Sequence, residues 1–189
     1  YVPMLGVPQR LDRAEGDIHA RGNPHIQLDP HNIGRIAPAL GERLAKLDPD
    51  NAADYRTRLD DFNRRWQSAL QRWGTLAEPL RGMPIVVHHE SWTYLNHWLG
   101  LNQIGTLEPK PGVPPSSSHL AELLETLKIT PARAVIRAPF EEARASEWLS
   151  KQAGLVMLEL PYTVGGNAQA TDLFGLFDSS IALLQGAQP

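Results

Sequence analysis

The chain has 189 residues, 42 % hydrophobic and 21 % charged, with a formal net charge of -3, which is ordinary usage for a folded domain and argues against disorder. The slight acidity gives no electrostatic footprint for nucleic acid, and no basic stripe alternates with aromatics. There is no cysteine, so thiolate zinc, iron–sulfur, disulfide and cysteine-nucleophile chemistry are excluded, and any metal would be held by imidazole and carboxylate.

Residues 1–30 are rich in Gly, Pro and Asp and read as loop, and the segment GDIHARGNPHIQLDPHN carries His19, His25 and His31. Asp29-Pro30 is a cap-and-proline helix start. After it Ile33, Ile36, Leu40, Leu44 and Leu47 recur at steps of three and four. Asp48-Pro49 repeats the signal, and Tyr55, Leu59, Phe62, Trp66, Leu70, Trp73 and Leu76 form one stripe. That predicts a helix of up to about 30 residues, roughly 45 Å long.

From residue 80 the pattern alternates. PIVVHH, LNQIGTL, ARAVIRA and LVMLEL read as strands, and SWTYLNHWLG, SSSHLAELLETLK, EEARASEWLSKQAG and QATDLFGLFDSSIALLQG read as helices. Short connections between them predict an α/β fold: a long helix followed by a Rossmann-like, mostly parallel four-stranded sheet flanked by helices. The expected division is a loop region (1–30), a linking-helix segment (31–79) and an α/β lobe (80–189). Trp66, Trp73, Trp92, Trp98 and Trp148 occupy core-like helical positions. No apolar run approaches the roughly 18 residues that cross a bilayer.

Ligands of open α/β sheets collect beyond the carboxyl ends of the strands. His88 and His89 close the first strand, and alternation allows at most one of them to face a given site. Glu159 closes the last strand in the same layer as His89, and reads either as a ligand or as a solvated edge residue. His25 lies in the loop that enters the first helix. Together His25, His89 and Glu159 supply three nitrogen and oxygen ligands of the kind zinc takes. Gly165-Gly166 lacks a phosphate-binding pattern, and Ser91 is not in a GxSxG elbow. Asp29 and Asp172 read as caps or surface residues, and His119 as structural.

NPHIQLDPHN resembles the "PHxWLDP" signature of the zinc and manganese solute-binding proteins of ABC transporters, the ZnuA/TroA-like family. VVHHESWTYLNHWLGL is similar to its "HDAFGYFADRYGL" block, and GVPPSSSHLAELLETLK to its "EPSxxHLxxL" block. The blocks keep family order across about residues 17–185. The resemblance implies two α/β lobes joined by a rigid long helix, with one metal ion between them. It makes His25 and His89 metal ligands and Glu159 the matching carboxylate, although LELPYTVGG departs from the family pattern there.

The family lobe that precedes the PH block and gives the first histidine has no counterpart here, so His19 is the substitute ligand to test. A lone lobe would expose its cleft-facing surface and invite weak metal binding or homodimerisation. The implied function is capture of a metal ion, zinc ahead of manganese because imidazole is a borderline-soft ligand. Delivery would be to an ABC permease, in the periplasm or another extracytoplasmic space, without catalysis. Two other readings stay open: a repurposed solute-binding or protein-interaction module without tight metal binding, and a zinc hydrolase with Glu90 as base.

Overall fold

The computed structural model describes residues 2–187 apart from 11, 13, 15 and 18. Helix α1 (Pro30–Leu47) starts where the sequence signals it: the Asp29 carboxylate accepts from the His31 N–H at 2.8 Å, and Pro30 occupies the first turn. A short 3-10 turn, Pro49–Asn51, separates it from α2 (Ala52–Ala77). The long helix therefore has 26 residues, about 39 Å at ~1.5 Å per residue, because the second proline begins a tight turn and not the α-helix itself.

The two helices form an antiparallel pair that meets very closely. A Cβ at Gly41 would stand 2.8 Å from Leu59 Cδ2, so glycine sets the spacing there. At the other end the Trp66 indole N–H donates to the Pro30 carbonyl at 2.8 Å, beneath the entry to α1. The shared apolar stripe is not all covered. Leu40, Leu44, Leu47 and Leu76 are 56, 37, 65 and 40 % exposed. A helical period reports a face but not what lies against it.

The sheet comprises β1 (Pro84–Val87), β2 (Asn102–Thr106), β3 (Ala134–Arg137) and β4 (Val156–Glu159). All three pairings are parallel, in the order β2-β1-β3-β4. Helices α3 (Thr93–Leu99), α4 (Ser117–Ile129), α5 (Ala143–Ala153) and α6 (Leu173–Gln185) fill the connections and the end of the chain.

Side-chain alternation divides the interior into two cores. Ile85, Val87, Ala134, Ile136 and Leu158 face Trp66, Trp73, Leu95, Leu99, Phe177 and Ile181, which come from α2, α3 and α6. Val86, Val135 and Met157 face Leu123, Leu127 and Leu149 of α4 and α5. Four of the five tryptophans pack as expected. Trp148 does not: it is 38 % exposed on α5. Among the described residues no helix is long and apolar enough to cross a membrane.

Candidate metal centre

The register fixes which strand-end side chains share a face. Val87 pairs with Ile136 and Ile136 with Leu158, while Arg137 pairs with Glu159. His88 follows Val87 and belongs with Arg137 and Glu159, on the α4/α5 side. It is 6 % exposed, and its Nδ1 lies 3.4 Å from Ser146 Oγ on α5. His89 turns to the other side, towards the loop that carries His25. The two neighbours thus diverge as strand geometry requires.

His25 is held by Asn23. Its backbone N–H and its ring Nδ1–H both donate to Asn23 Oδ1, at 3.0 and 2.8 Å. Asn23 is itself anchored on β1's exit, with Nδ2 donating to the Glu90 carbonyl at 2.7 Å and to Thr93 Oγ1 at 3.1 Å. Its carbonyl accepts from the Tyr94 hydroxyl at 3.1 Å. On its far side the His25 ring meets Tyr162 edge-on at 5.5 Å. Burial, with smaller contributions from His89 and His19, holds His25 below the ordinary imidazole range. Burial also pushes the Tyr162 phenol up, against hydrogen bonds with Gln27 and Ser91.

His89 is held in the same manner from the opposite side. Its Nδ1–H donates to Glu108 Oε2 at 2.6 Å. Both imidazoles therefore carry the proton on Nδ1 and leave the Nε2 lone pair for a ligand, the arrangement in which an oxygen acceptor orients a metal-binding histidine. The ring centroids are 6.4 Å apart at 81°. Two imidazoles on one tetrahedral zinc, with Zn–N about 2.0–2.1 Å, place their centroids about 5 Å apart. An approach of about 1 Å closes that difference.

His19 lines the same cavity of about 170 Å³ as His25 and His89, with Asp17, Asn23, Glu90 and Pro111 on its wall. Glu159 does not line it. That carboxylate pairs with Arg137 on the opposite face of the sheet. It is level with His88 along the strands, one position short of His89, and on the opposite face from it. As placed, no three His, Asp or Glu side chains among the described residues are gathered closely enough to hold an ion. The cavity brings two or three imidazoles near one another without closing on a metal.

Two carboxylates escaped the sequence reading. Glu108 follows β2, and Glu141 follows β3. Glu141 Oε2 accepts from the Ala138 N–H at 2.7 Å. Burial raises its pKa, opposed by that hydrogen bond and by His89, while Glu108 raises it further. The strand-end rule that singled out His89 applies equally to both. Two of the remaining histidines have local duties: His31 Nδ1 lies 3.0 Å from Asp29, and His119 Nε2 lies 2.9 Å from the Thr106 carbonyl.

The family described as ZnuA, zinc-uptake complex component A periplasmic, matches residues 3–187. The high-affinity zinc uptake system protein ZnuA of Brucella abortus (strain 2308) is 22 % identical over 115 residues, 61 % of this chain and 34 % of its own length. The protein of the same description from Yersinia pestis is 26 % identical over 105 residues, 56 % of this chain and 33 % of its own. The matched stretch thus spans about a third of these curated relatives. A crystal structure of a ZnuA deletion mutant with zinc bound superposes with a TM-score of 0.74 at 27 % identity. That comparison covers 100 % of this chain and 67 % of the other.

Proposed function

This chain belongs to the ZnuA family of periplasmic zinc-uptake component A proteins, and from that premise we propose that it captures a zinc ion through His25 and His89 outside the cytoplasm and delivers it to an ABC permease. The carrying observation is the matched pair of imidazoles, each with Nδ1 held by an oxygen and Nε2 left open. His19 is the third ligand, drawn in from the cavity wall. Negative charge comes from Glu108 and Glu141 beside His89, and Glu159 stays with Arg137. Neutral imidazoles favour zinc over manganese.

Binding and release without turnover fits the surroundings of the pair. A hydrolytic site needs a base beside the ion. Glu90 accepts instead from the Gln103 amide at 3.0 Å, which supports a carrier over a catalyst.

The test is zinc titration of the metal-free chain at neutral pH against a chromophoric chelator, with His25→Ala and His89→Ala alongside. One zinc per chain, lost by at least a hundredfold in affinity in either variant, is expected. Equal binding by wild type and both variants would overturn the assignment.

A further inference from the structure

Glu108 does more than touch His89. The same oxygen that accepts from His89 Nδ1 also accepts from the Gly112 N–H at 2.8 Å. The Glu108 side chain is only 16 % exposed. Its N–H donates to the His88 carbonyl at 3.1 Å, and its own carbonyl accepts from Thr106 Oγ1. The carboxylate thus pins the start and the end of one turn, residues 108–112, to the exit of β1.

The outer edge of that turn grips the segment leading to His19. The Asp17 N–H donates to the Pro111 carbonyl at 2.8 Å, and Lys110 Nζ donates to the Ala14 carbonyl at 2.5 Å. The approach is too close for a side chain, since a Cβ at Gly16 would stand 2.5 Å from the Pro111 oxygen. Asp17, His19, His89 and Pro111 then line one cavity. A single carboxylate oxygen is the common anchor of His89 and of the clasp beneath His19.

We infer that Glu108 is a positioning residue that links the orientation of His89 to the seating of the His19 segment, so that an ion on His89 tightens the hold on Ala14, Asp17 and His19. This rests on His89 being a ligand of the captured ion. An ion on Nε2 makes Nδ1–H a better donor, which strengthens the bond to Glu108 and with it the fixed end of the turn. Coupling of this kind is reciprocal: loosening the clasp weakens the ion's hold by the same factor.

The experiment uses the whole chain with Glu108→Ala, Glu108→Gln and Lys110→Ala. Three quantities are read: zinc affinity, the His89 tautomer by long-range ¹H–¹⁵N correlation, and hydrogen exchange at the Asp17 and Gly112 amides. Glu108→Ala is expected to lose the Nδ1–H tautomer of His89, to speed exchange at both amides at least tenfold, and to weaken zinc about 10–100-fold. Glu108→Gln keeps a neutral acceptor, so it keeps the tautomer and the protection but binds zinc severalfold more weakly. Lys110→Ala speeds exchange at Asp17 alone.

An unchanged tautomer and unchanged exchange in Glu108→Ala would overturn the inference. So would wild-type zinc affinity in Glu108→Gln, the variant that decides the matter if the alanine form does not fold. Tautomer and exchange are read on metal-free protein. A wild-type chain that bound no zinc would therefore sink the proposed function, and with it the link to an ion, while the clasp itself is judged separately.

Discussion

Arg137 and Glu159 face each other from adjacent positions on β3 and β4, on the side of the sheet turned away from His89. The arginine side chain is 11 % exposed and also donates to the Ala138 and Glu141 carbonyls, at 3.1 and 2.9 Å. It is the more constrained partner. Glu159→Gln should leave zinc affinity within twofold and cost about 1 kcal/mol or less of stability, as a half-exposed ion pair does. Arg137→Ala should cost about 2–3 kcal/mol, since it strands two carbonyls of the β3–α5 loop and the Glu159 carboxylate. Urea unfolding checks the stabilities. A hundredfold loss of zinc binding in Glu159→Gln would return that residue to the ligand set.

Asn23 is the pin of the His25 loop. Asn23→Ala removes the acceptor at His25 Nδ1 and the links to Glu90 and Thr93. Loss of an orienting partner costs a bound metal about 10–100-fold in affinity, so that is the expected weakening, measured by chelator competition. An unaffected affinity would mean that the ring is oriented by Tyr162 alone.

Acid should destabilise the metal-free chain. Burial lowers the pKa of both His25 and His88. Below about pH 6.5 the unfolded chain takes up protons at these positions while the folded chain does not, so stability falls as pH drops. The loss levels off once the folded values are passed. Urea midpoints at pH 7.5, 6.5 and 5.5 should decline in that order, with a shallower decline in His25→Asn. Midpoints independent of pH would show that neither ring is shielded.

Gly41 sets the spacing of α1 and α2. Gly41→Val puts a branched side chain against Leu59 Cδ2, where even a Cβ stands at 2.8 Å. Overpacking of this kind costs about 1–3 kcal/mol. The pair lies away from the histidines, so zinc affinity should be preserved. Thermal unfolding and zinc titration together separate the two effects, and an equal loss in both would tie the helix pair to the site.

The four strands, the sheet type and the helix order were readable because each element carries its own period and punctuation. Asp29 and Asp172 cap helices where the sequence places them, and Ser116 caps α4. The place of His89 just past the end of β1 was readable from the strand pattern. The face on which Glu159 emerges was not, because it depends on β4's register against β3 and on which side the His25 loop crosses. Glu108 and Glu141 sit in loops whose sequence gives no period, and they gain meaning only when parallel strands bring their ends level. Leu40, Leu44 and Leu47 share the spacing of covered residues, yet nothing among the described residues buries them.

Tyr162 stands between His25, at 5.5 Å, and Trp92, at 5.7 Å. Trp66, Trp73 and Trp98 gather elsewhere, around Phe177. If the proposed function holds, the protein carries its own optical reporter. An ion arriving on His25 would shift the ring that abuts Tyr162, and the displacement would reach one indole while the other four keep a steady emission. Fluorescence can then follow occupancy without a dye, and Trp92→Phe identifies the indole that responds.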